Sequence, residues 1–213
     1  MFTIGLFSTI DINIENIYME NIGIVGIISS PIIATYIIRN YRSLNNRIAP
    51  IIAKIFTPFV LIILVTFLIS IILAGKDPYN DRDFLLIFNF MLFGVMAIIV
   101  FSTIGTPVKK TQNYNEWILF ILSIITLIID IVALSAIIYR IGEYGITPNR
   151  TAVLISNLLI LGNLILITID LYKVVFKKQD LKIAELTIAK YLPLYGIWAI
   201  LVTFLFPYLF SMR

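Results

Sequence analysis

The chain contains neither cysteine nor histidine. Without cysteine there is no disulfide, no thiolate nucleophile, no thiolate zinc site and no cysteine-bound cluster. Without histidine the commonest metal ligand and the commonest general base are both missing, and a Ser-His-Asp relay cannot be assembled. Charge is scarce too: only 13% of the 213 residues are Asp, Glu, Lys or Arg. These absences lead us to expect no enzyme, no cofactor and no metal centre.

What fills the chain instead is apolar sequence. Hydrophobic residues make up 60% of it and the mean hydropathy is +1.01, more than a soluble domain of this length can bury. A transmembrane helix needs roughly 20 apolar residues to cross a hydrocarbon core of about 30 Å, and runs of that length recur. They are continuous rather than alternating, which argues for helices and against a β-barrel. The expected fold is therefore all-α, a polytopic transmembrane helical bundle forming a single integral membrane domain over residues 1–213. About six spans are expected, near residues 21–38, 52–74, 84–104, 117–139, 151–172 and 191–210. In the first, Ser29-Ser30-Pro31 invites a kink. Residues 1–20 form a short acidic N-terminal segment carrying Asp11, Glu15 and Glu20. No Lys or Arg precedes its apolar start, so a re-entrant or surface segment is expected rather than a signal peptide.

The few charges set the orientation. In alternate loops, eleven of the sixteen Lys and Arg fall on one side: Arg39, Arg42, Arg47, Lys54, Lys109, Lys110, Lys173, Lys177, Lys178, Lys182 and Lys190. Lys76, Arg82, Arg140, Arg150 and Arg213 fall on the other. The basic side is expected in the cytoplasm and both termini outside. This placement also explains the net charge of +4 without a nucleic-acid partner, because the basic residues sit at helix ends. Trp117, Tyr139, Tyr144, Tyr172, Tyr191 and Tyr208 fall near the proposed interfaces, where aromatic belts form. Residues 173–190 read as a cytoplasmic basic amphipathic segment, with Leu181, Ala184 and Ile188 on one side and Lys178, Lys182 and Glu185 on another. Such a segment meets anionic lipid headgroups in the interface; the alternative is a basic extension of the fifth span. The bilayer is the one partner the composition requires. A membrane-protein partner or a second copy of the chain is left open.

Between the fourth and fifth spans lies a short polar link. Gly145 suits the left-handed end of a helix, Thr147 an N-cap and Pro148 the first turn of the next helix. Two spans joined so tightly are antiparallel neighbours, and reflection through position 146 sets their relative depth. Ser123, Thr126 and Asp130 share one face of the fourth span; Ser156, Asn163 and Asp170, seven apart, share one face of the fifth. Asp130 is then level with Asn163 near the bilayer centre, and Ser123 with Asp170 near the cytoplasmic surface. An acid at mid-membrane faces the bundle interior. Asp130, Asn163, Asp170, Ser123 and Thr126 are the intramembrane candidates, either as a proton or cation site on a transport path or as interhelical glue, with a protonated Asp130 donating to Asn163. Asn89 of the third span is a further candidate for this cluster. The outer loop bearing Asp77, Asn80, Asp81 and Asp83 is rich in oxygen ligands, but lacks calcium-loop spacing and matches ordinary turn chemistry.

The stretch Arg140-Ile141-Gly142-Glu143-Tyr144-Gly145-Ile146-Thr147-Pro148-Asn149-Arg150 resembles the signature of a bacterial multi-pass membrane family catalogued as domain of unknown function 4153. The resemblance covers about residues 51–175, the C-terminal half of typical members, and includes the cytoplasmic Pro107-Val108-Lys109-Lys110. It implies a bacterial inner-membrane protein and marks Arg140, Glu143, Tyr144, Gly145, Thr147 and Arg150, with no activity attached. Glu143 opposes the helix dipole where it stands, so a charge cluster with Arg140 and Arg150 is expected to hold it. Two functions remain in view: transport or sensing of a small solute or ion, and a non-transport scaffold or signalling-system subunit. A lipid enzyme ranks third, weakened by the missing histidine and cysteine.

Overall fold

A computed structural model describes residues 16, 20, 24–40, 48–74, 79, 82–104 and 114–210. Among the described residues the chain is all-helical, with no strand. Helix α1 spans Ile24–Asn40, α2 Ile48–Ala74, α3 Arg82–Thr103, α4 Tyr114–Tyr144, α5 Pro148–Lys177 and α6 Lys182–Ile200. A π turn at Leu201–Leu205 then leads into a last short helix, α7, at Phe206–Leu209. The six longer helices fall where the six apolar runs lie. Among the described residues four stretches are long and apolar enough to cross a membrane: Ile52–Ile69, Tyr114–Tyr144, Pro148–Lys177 and Lys182–Leu209. The apolar part of α3, Ile87–Thr103, is shorter, and α1 has 17 residues.

Hydropathy underestimates α4 and α5. They continue past the expected ends at Trp117, Tyr139, Thr151 and Tyr172, because a helix stops where its end groups find caps rather than where its apolar residues run out. With 31 residues, α4 is about 46 Å long and outreaches the hydrocarbon core. α1 runs through Pro31 without a break. The proline with the clearer effect is Pro207. The π turn precedes it, and the Phe206 N–H reaches back to the Leu201 carbonyl. Widening the helix there makes room for a ring that would otherwise press on the preceding turn.

α4 packs against α2, α3 and α5, while α5 lies between α4 and α6 and also meets α3. One continuous core joins Leu64 and Phe67 of α2, Phe88, Met91 and Leu92 of α3, Leu122 and Ile129 of α4, and Leu164 and Leu171 of α5. At one end of the α2–α3 pair the buried hydroxyls of Thr57 and Ser102 meet at 3.1 Å. Near the other end Tyr79 reaches Ser135 of α4 at 3.2 Å and packs edge-on against Tyr139. Leu192, Leu194, Ile197, Ile200 and Phe204 of the α6 region are exposed, as a lipid-facing surface requires.

The basic segment 173–190 departs from expectation. Lys173 to Lys177 are the last turn of α5, and Lys182 to Lys190 are the first turns of α6. Lys178 takes the left-handed conformation (φ 53°) and its N–H caps the Lys173 carbonyl. Asp180 then accepts from the Lys182 N–H at 3.0 Å. This second tight turn folds α6 back along α5, so Leu181, Ala184 and Ile188 join the protein core instead of lying in the lipid interface. Asp77, Asn80 and Asp81 of the acidic outer loop, residues 1–15 and the Pro107–Lys110 stretch lie outside the described residues, whereas Asp83 falls in the first turn of α3.

Candidate functional site

The α4–α5 hairpin forms as its residues dictate. Gly145 has φ 75°, a conformation that costs other residues roughly 1–2 kcal/mol. Thr147 is the N-cap of α5, its hydroxyl accepting from the Arg150 N–H at 3.3 Å, with Pro148 opening the helix. Three residues separate α4 from α5. Far down the pair, Phe120 meets Tyr172 and Trp117 meets Phe176 with ring centroids 6.4 and 5.3 Å apart. Phe120 and Tyr172 are equidistant in sequence from residue 146, so the reflection through the turn holds along the whole hairpin.

The charges at the turn are arranged otherwise than expected. Arg150 donates from Nη1 to the carbonyls of Tyr144 and Gly145, both at 2.8 Å. Its guanidinium lies 5.4 Å from the Tyr144 ring centre, and that of Arg140 lies 5.9 Å from the same ring. Glu143 is exposed and forms no ion pair among the described residues. Bare carbonyls at the end of α4 carry the negative end of the dipole and compete for Arg150 better than a solvated side chain does. The expected Glu143 cluster is thus replaced by a cation at a helix C-terminus.

The two polar stripes are both inside, but they serve different partners. On α4, Ser123, Thr126 and Asp130 are all buried. Ser123 donates to the Phe120 carbonyl and Thr126 to the Leu122 carbonyl, so both hydroxyls are satisfied within their own helix. On α5, the stripe turns to α6. The Trp198 Nε1 donates to Ser156 at 2.9 Å, the Asn163 Nδ2 donates to the Tyr195 hydroxyl at 3.1 Å, and the Thr187 hydroxyl donates to Asp170. Asp170 also accepts from Lys173 at 2.7 Å. These are three rungs between antiparallel helices, one at each step of seven along α5.

Asn163 is consequently not the partner of Asp130, which corrects the expected pairing. The carboxyl of Asp130 is fully buried, and neither oxygen has a hydrogen-bond partner. It sits in the middle of α4, about 21 Å along the helix from Tyr144. Asn163 lies at the matching depth on α5, and its Oδ1 is also buried and unpartnered. Tyr195 connects the two: its hydroxyl accepts from Asn163 and lies within electrostatic reach of Asp130. Tyr191 packs one turn from Tyr195, their rings tilted with centres 5.4 Å apart. Its hydroxyl is so close to Gly162 that a Cβ there would lie 2.6 Å away.

Asn89 belongs elsewhere. Its Oδ1 accepts from Asn157 Nδ2 at 2.7 Å, nearer the hairpin end of α5. The two amides line a cleft of about 210 Å³ between α3 and α5, together with Phe90, Phe93, Val153 and Ser156. Asp130 is not among its lining residues.

The residues that sequence reasoning missed are Asn157, Thr187, Tyr195 and Trp198, and it gave Tyr191 no place at this site. Tyr191, Tyr195 and Trp198 fall at helical spacing on one side of α6. That signal was present but reads as an apolar face until α6 is known to start at Lys182. Among the described residues no three acidic side chains come together in a way that could hold a metal ion. No protein-family model, no curated protein and no solved structure matches the chain.

Proposed function

We propose that the protein is a multi-pass protein of a bacterial cell membrane that moves or senses a small solute or ion, with Asp130 at its working centre. The supporting observation is the carboxyl of Asp130, fully buried with no hydrogen-bond partner. A polar group kept for packing is ordinarily paired, as Asp170 is with Lys173 and Thr187. An unpaired acid deep among membrane helices is costly and characteristic of ion and solute pathways. The cleft between α3 and α5 is mostly apolar, with Asn89, Ser156 and Asn157 among its lining residues. The basic residues at the α5–α6 turn support a cytoplasmic position for that turn and contact with anionic headgroups. We place the chain with the bacterial family whose hairpin it resembles.

A scaffold or signalling subunit is the second reading. It is favoured by the three direct rungs between α5 and α6, which use most of the α5 stripe for packing. Flux of small ions and solutes into liposomes, measured for the parent and for Asp130→Asn, separates the two. Transport requires flux in the parent and its loss in the variant. Equal flux in both removes Asp130 from the path, and no flux in either removes transport of the solutes tested.

A further inference from the structure

The unpartnered oxygens at the middle of α4 and α5 are more specific than a generic polar path. Helices α4, α5 and α6 contribute Asp130, Asn163 and Tyr195. Asp130 Oδ1 and Oδ2 and Asn163 Oδ1 are each buried and each lack a partner. The Tyr195 hydroxyl accepts from Asn163 Nδ2 at 3.1 Å and has its own proton directed at the Leu159 carbonyl, 3.5 Å away. Two neighbouring helices therefore bring three acceptor atoms to one depth, and no donor is committed to any of them. Burial without a partner costs each of these groups free energy that a cation would return.

We infer that Asp130, Asn163 and Tyr195 bind a single monovalent alkali cation. This deepens the proposed function and rests on it, since the same acid is assigned the working role. Charge fixes the valence. Asp130 brings one negative charge, and the next acid along the seam, Asp170, is already paired with Lys173. One carboxylate with one monovalent ion is neutral, whereas a divalent ion would carry a net positive charge into a low-dielectric interior. Ligand chemistry fixes the class. Carboxylate, amide and phenol oxygens are hard donors suited to hard cations, and the chain has no cysteine or histidine to favour a transition metal. Tyr191 completes the wall. Its hydroxyl fills the space over Gly162, and its ring packs 5.4 Å from that of Tyr195 one turn along α6.

The test is thermal unfolding of the purified full-length protein in detergent, in NaCl, KCl or LiCl against choline chloride at equal ionic strength. A bound cation raises the midpoint of the parent by about 5 °C at saturation, in at least one alkali salt and not in choline. Asp130→Asn abolishes the response, and Tyr195→Phe weakens the apparent affinity by about tenfold. A parent indifferent to every alkali cation overturns the site. So does an equal response in Asp130→Asn, or a larger response to CaCl₂ than to any monovalent salt. Tyr195→Phe keeps the ring and the helix, so the affinity shift remains readable if Asp130→Asn fails to fold. Liposome flux with no alkali response would leave the transport reading standing and sink this one; an alkali response without flux would do the reverse.

Discussion

Asn163 gives its amide proton to the hydroxyl of Tyr195 at 3.1 Å, and in doing so ties α5 to α6 at the depth where α4 presents Asp130. The amide is shared between two roles. Its nitrogen holds the seam, while its oxygen is buried and uncommitted.

Removing the acceptor should therefore cost more than removing the pair. Tyr195→Phe leaves a buried amide donor without its partner, a loss of about 1 kcal/mol by comparison with interhelical hydrogen bonds in other membrane proteins. The double variant Asn163→Leu with Tyr195→Phe should be less destabilised than the two single changes added together. Denaturation midpoints of the four proteins in detergent give the coupling, and strict additivity would show that the bond contributes nothing.

Gly162 is needed for its missing side chain. Gly162→Ala puts a methyl group where the Tyr191 hydroxyl lies and should lower stability by about 1–3 kcal/mol. Tyr191→Phe removes that oxygen, so the double variant should recover most of the loss. Failure of the rescue would place the strain elsewhere.

At the hairpin, Arg150 and Glu143 should differ in their effect on stability. Arg150→Ala removes both hydrogen bonds to the α4 end carbonyls and should cost about 1–2 kcal/mol. Gly145→Ala, forced to φ 75°, should cost a similar amount. Glu143→Gln should stay within about 0.5 kcal/mol of the parent. A Glu143→Gln loss as large as that of Arg150→Ala would restore the charge cluster that the structure replaces.

The pair Lys173 and Asp170 offers a fourth check. Lys173→Met strands a buried carboxylate that otherwise has Thr187 alone. Adding Asp170→Asn to it should restore stability rather than lower it further. Lys173 is 37% exposed, so solvent limits the effect to about 1 kcal/mol. Thermal midpoints of the single and double variants decide it.

The hairpin and its register were legible because their determinants are local. Gly145, Thr147 and Pro148 act within one turn of chain, and a three-residue link leaves two helices a single arrangement. The partner of the α5 stripe was not legible. Spacing by sevens shows that Ser156, Asn163 and Asp170 share a face, but a face can look toward either neighbouring helix. The deciding turn at Lys178 has a non-glycine residue in a left-handed conformation, which carries little sequence signal. With that turn unseen, Leu181, Ala184 and Ile188 read as one side of an amphipathic interfacial segment rather than as core. Helices α4 and α5 also outran their hydropathy, because Tyr114, Glu143 and Lys177 can be helical without being apolar.

The three-residue link between α4 and α5 also bears on biogenesis. A lone helix with an acid at its centre enters a bilayer at a cost of about 2.5–3.5 kcal/mol for that residue on insertion scales. Two helices joined at Gly145 to Thr147 cannot enter far apart, so Asp130 arrives with the α5 amide already at its own depth. Lengthening the link would let the fourth helix wait alone at the translocon. The tightness of one turn thereby sets how soon the acid has that amide at its own level.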